Sequence, residues 1–130
     1  MEKETIISII CDVCKDMGLE YTTKVKSSTW KADVVIEHKT YKVAFNVCKC
    51  PRNVEATYKA MRKERVCGCW LVLPTRNSSY QEESLPCFNL LSQTDKEIVC
   101  LNSNLDDNSN NRIELSTFLR SIIDGKIRFV

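Results

Sequence analysis

With 130 residues, 43% of them hydrophobic and 28% charged, the chain suits one soluble globular domain. Its formal net charge of +2 neither requires nor excludes a nucleic-acid partner. No apolar run approaches the ~20 residues of a membrane-spanning helix, and the opening "MEKETIISIICDVC" lacks the basic start and cleavage site of a secretory signal. The expected location is therefore cytoplasmic, with no membrane partner. The eight cysteines then read most simply as reduced thiols, several of them serving as small core hydrophobes.

Taken in chain order, residues 2 to 17 predict a helix. Ile6, Ile9, Ile10, Val13 and Met17 recur at helical spacing, and Gly18 stands where a C-terminal cap belongs. "YTTKVKS" (21–27) is short and β-rich. "WKADVVIEHK" (30–39) and "YKVAFNVCKC" (41–50) predict two strands joined as a hairpin. Pro51 ends the second, and a helix over about 52 to 65 carries Val54, Tyr58 and Met61 on one stripe, with Gly68 beyond its end. The apolar run "CWLVLP" (69–74) suits a strand buried on both faces. Strand, helix and buried strand in succession imply a parallel pair with a right-handed crossover.

Residues 75 to 86 read as a polar loop, and "CFNLLS" and "EIVCL" as short strands. "NSNLDDNSNN" (102–111) reads as a turn; it lacks the central Gly and closing Glu of a calcium loop. Leu115, Phe118, Leu119 and Ile122 predict a last helix over 113 to 124, and "KIRFV" an edge strand. The expected class is α/β, a mixed sheet with helices on both faces and therefore three layers. One domain spans 1–130, its core in 2–74 and its remaining elements in 75–130.

The order helix, three-strand meander, helix, strand, with "WKADVVI", "VAFNV", "EATYKAMRKER" and "CWLVLP" inside it, resembles the PD-(D/E)XK nucleases of restriction-endonuclease-like fold. Within that superfamily it is most similar to the nuclease-like domain of CoiA-type competence proteins, which implies bacterial DNA handling. The resemblance covers roughly residues 2 to 74. It implies an α-βββ-α-β core in which an Asp and a Glu on adjacent strands hold Mg²⁺, with a Lys or Gln two residues after the Glu on the same strand face. Carried over, the Asp is Asp33, the Glu position holds Asn46 and the Lys or Gln position holds Cys48. Glu20 stands for an early acidic residue. An amide brings no charge and a thiol is a poor ligand for hard Mg²⁺. The resemblance therefore implies a nuclease-like fold with a degenerate site, acting as a nucleic-acid-binding or accessory module without cofactor.

Two alternatives stay open on the residues. Glu37-His38-Lys39 spells the E-x-K motif, and Glu37 shares a strand face with Asp33, so an active Mg²⁺ nuclease would use Asp33, Glu20 and Glu37. A zinc-binding interaction module would draw on the cysteine pairs at 11/14, 48/50 and 67/69, although the expected topology puts 48/50 and 67/69 at opposite edges of the sheet. His38 falls in a turn and reads as solvated, and Trp30 and Trp70 read as packing anchors. A basic face for phosphates is expected from Lys49, Arg52, Lys59, Arg62 and Lys63, with Arg65 nearby and Lys24, Lys26 and Lys31 around Asp33. A protein partner or homodimer is compatible with the same sequence.

Overall fold

A computed structural model describes residues 2–39, 41–74, 87–101 and 112–124. The expected loop over 75–86, the turn over 102–111 and the terminal "KIRFV" lie outside the described residues. The described elements follow the order α1 (Lys3–Asp16), β1 (Glu20–Lys26), β2 (Lys31–His38), β3 (Tyr41–Cys48), α2 (Val54–Lys63), β4 (Val66–Val72), β5 (Cys87–Gln93), β6 (Ile98–Leu101), β7 (Arg112–Glu114) and α3 (Leu115–Ile123). The strands form one mixed sheet whose spatial order is their sequence order. β1, β2 and β3 are an antiparallel meander; β4 lies parallel to β3 and β5 parallel to β4, and β6 and β7 return antiparallel.

Local chemistry sets these boundaries. α1 ends because Gly18 adopts φ 70, a left-handed conformation that costs glycine nothing. The amide of Gly18 then donates to the carbonyl of Lys15 and that of Leu19 to the carbonyl of Cys14, which occupies two carbonyls the helix end would otherwise leave free. α2 joins β4 through a two-residue turn, Glu64 and Arg65, the latter at φ 63. That tight junction corrects the expected start of β4 at residue 69: Val66, Cys67 and Gly68 already pair with Lys42, Val43 and Ala44. Gly68, expected beyond the end of the helix, is thus a residue of the strand. A methyl group there would stand 2.6 Å from Met61 Sδ and 2.9 Å from the Trp70 ring, so the missing side chain is what lets α2 lie close on the sheet.

Alternate residues of the strands divide between two buried clusters. Val34, Ile36, Val43, Phe45, Val47 and Leu71 pack with Ile6, Ile10 and Val13 of α1 and with Leu115, Phe118 and Leu119 of α3. Val35, Ala44 and Trp70 pack with Met61 of α2, flanked by Val54 and Tyr58. Phe118 meets Phe45 and Phe88 edge to face, at ring centroid distances of 6.1 and 5.7 Å. The expected helix over 113 to 124 is corrected at its start: Arg112, Ile113 and Glu114 are strand β7, paired with β6, and α3 begins at Leu115.

Candidate functional site

The site lies where the β2–β3 ladder opens. Pairing runs from His38 opposite Tyr41 to Val34 opposite Phe45 and stops there. The next pair in register is Asp33 with Asn46, and their side chains replace the missing backbone bonds. Asp33 Oδ2 accepts the Val47 N–H at 2.8 Å, and Asn46 Nδ2 donates to the carbonyl of Lys31 at 3.1 Å. The second Asp33 oxygen lies 3.4 Å from Lys3 Nζ, which α1 delivers from its first turn. An ammonium therefore stands beside the one carboxylate of the motif.

This set satisfies itself. Both oxygens of Asp33 have partners, one the Val47 N–H and the other the Lys3 ammonium. At position 46 only a donor suits the Lys31 carbonyl; an ionised glutamate would set oxygen against oxygen there. Cys48, half-buried at the end of β3, completes the motif positions. Burial pushes its thiol above the usual range, Lys3 pulls against this, and Asp33 and Cys50 add to it. The thiol is thus less readily ionised than a free cysteine.

Around this centre runs a groove of about 820 Å³, lined by Lys3, Lys24, Lys26, Lys31 and Arg52, with Trp30, Trp70, Asn46 and Cys48 also on its wall. Asp33 is the carboxylate among its lining residues. Trp30 is fixed from outside, its indole N–H donating to Glu64 at the end of α2. Two residues of the lining hold a left-handed backbone: Lys24 at φ 52 and Asn53 at φ 54. Asn tolerates this region and Lys does so at a cost, so Lys24 is strained into place opposite Asp33.

The other expected site residues are dispersed. Glu20 sits opposite Glu37 in the β1–β2 ladder, and Glu37 pairs with Lys42 Nζ at 3.5 Å. Glu37 is four residues along β2 from Asp33, about 13 Å in an extended strand, so neither Glu20 nor Glu37 reaches it. Of the expected basic face, Arg52 joins the groove, while Lys49, Lys59, Arg62 and Lys63 are outside its lining. Lys59 pairs with Glu55 of its own helix at 3.1 Å. Lys3 and its approach to Asp33 had no sequence signal, because the contact depends on where α1 docks. His38 is half-buried and not solvated as expected: its Nε2 is buried without a hydrogen-bond partner among the described residues.

The cysteine pairs stay apart as the parallel crossover requires. Cys67 lies opposite Val43 and Cys48 opposite Val72, five residues apart along the strands, about 16 Å. Among the described residues no three His, Cys, Asp or Glu side chains gather as a metal group. None of the described helices is long and apolar enough to cross a membrane. Comparisons of the chain with protein-family models, with curated proteins and with solved structures find no match.

Proposed function

We propose that the chain is a three-layer, restriction-endonuclease-like protein whose metal site has become a structural joint, and that it binds nucleic acid without cutting it. One observation carries the reading: Asp33 and Asn46 sit side by side where the ladder opens, and each is committed to a hydrogen bond that holds the strands together. Lys3 supplies the positive charge that a cation would otherwise bring to Asp33. Mg²⁺ is held through carboxylate oxygens, and the one carboxylate on this wall, Asp33, is already paired with Lys3 and the Val47 N–H. The groove keeps its cations, Lys24, Lys26, Lys31 and Arg52, all exposed and with a single carboxylate among them. Such a lining neutralises a phosphate backbone irrespective of sequence.

Fluorescence anisotropy with labelled DNA and RNA over a salt series tests this. Binding should weaken steeply with salt. Replacing Lys24, Lys26 and Lys31 with Ala should weaken it for all sequences alike and flatten the salt slope, by about 0.7 to 0.9 for each phosphate that is no longer neutralised. Lys59→Ala and Lys63→Ala should leave it nearly unchanged. Equal losses from the α2 variants would move the interface to that helix.

A further inference from the structure

We infer that Cys48 and Cys50 form a two-thiolate site for a soft monovalent cation of the Cu(I) type. Both thiols are free and both line the groove. Cys48 ends β3 and Cys50 follows in the bend before Pro51. Residues two apart in an extended chain stand at most about 6.6 Å apart along it, and both thiols face the same groove. Their electrostatic coupling, in which Cys50 acts on the Cys48 thiol, agrees with that proximity.

The other close cysteine pairs differ in access. Cys14 of the 11/14 pair and Cys69 of the 67/69 pair are both 0% exposed. In the 48/50 pair one thiol is half-buried and the other exposed, so a cation can enter from solvent. The donor set also selects the ion. Asp33 already accepts the Val47 N–H and pairs with Lys3, and it is the one carboxylate on this wall, so the thiols are the soft donors the groove offers. Zn²⁺ asks for a tetrahedral set, and no third ligand of that kind gathers there among the described residues. A soft d¹⁰ monovalent ion prefers thiolate and is satisfied by two in a near-linear arrangement. On binding, each thiol releases its proton to water and the two sulfurs share the ion. The resulting complex carries one negative charge, which Lys3 and Arg52 on the same groove wall offset.

The site is independent of nucleic-acid binding, so failure of either reading leaves the other standing. The test is an anaerobic titration of the full chain with Cu(I) against the chromophoric chelator bathocuproine disulfonate. The chain should withhold one Cu(I), with two sulfur neighbours by X-ray absorption. Cys50→Ser, at an exposed position that folding does not need, should release the ion to the chelator, and Cys67→Ser should keep it. Failure to withhold Cu(I), retention by Cys50→Ser, release by Cys67→Ser, or three or more sulfur neighbours would each overturn the site.

Discussion

An amide at position 46 does what a carboxylate cannot, since it donates to the carbonyl of Lys31. Asp33 has the complementary task of accepting the Val47 N–H. Removing that acceptor leaves a part-buried amide unpaired, so Asp33→Ala should cost about 1–3 kcal/mol of stability in urea denaturation. Lys3→Ala should cost less than about 1 kcal/mol, because the ammonium is 48% exposed and solvent screens the pair. Equal costs would mean that the ion pair, and not the hydrogen bond, holds the joint. Gly68 offers a second residue-scale test. A Cβ there meets a fully buried Met61 and a rigid indole, so Gly68→Ala should destabilise by about 1–3 kcal/mol. A neutral substitution would show that α2 can lift from β4 without loss.

At the scale of elements, α3 depends on a residue outside it. Glu97 Oε1 accepts the Ser116 N–H at 3.0 Å and its other oxygen takes the Ser116 hydroxyl, so a carboxylate next to β6 caps the first turn of the helix. Glu97→Ala should cost about 1–2 kcal/mol and appear as lowered thermal stability. Glu114→Ala, at an exposed position in β7, should leave stability almost unchanged. The buried cysteines tie the helices and sheet to pH. Burial raises Cys14 of α1 and Cys100 of β6 to about 12. A thiol that keeps its proton in the fold and loses it near pH 9 when unfolded stabilises the fold fully below pH 9. That stability declines as pH rises from about 9 to about 12, so the chain should unfold in alkali, and Cys14→Ala should shallow the decline. The sequence showed these elements wherever a periodicity ran long enough. The α1 stripe, the β2–β3 hairpin and the parallel crossover were all legible. β7 was not, because three residues running straight into the apolar stripe of α3 cannot be told from its first turn. The start of β4 was hidden because Arg65 makes the turn with a left-handed backbone and the apolar run becomes continuous only from Cys69.

Across the whole molecule, the cations of the groove come from α1, β1, β2 and the segment before α2, set against a wall that β3 and Trp70 of β4 complete. That is why only part of it was legible. Lys24, Lys26 and Lys31 stand near Asp33 in sequence, but Lys3 arrives by tertiary packing, and the α2 cations Lys59, Arg62 and Lys63 all lie outside the groove. The same geometry separates Glu20 and Glu37 from Asp33, which adjacency in the sequence had seemed to join. The proposed function requires that this groove bind nucleic acid and that the Asp33–Asn46 joint do no chemistry. The most direct measurement is electrophoresis of end-labelled single- and double-stranded DNA after incubation with the pure chain in Mg²⁺ or Mn²⁺, read once native and once denatured. A retarded band on the native gel and intact strands on the denaturing gel are expected. Strand cleavage that Asp33→Ala abolishes, or no retardation even at low salt, would contradict the proposed function.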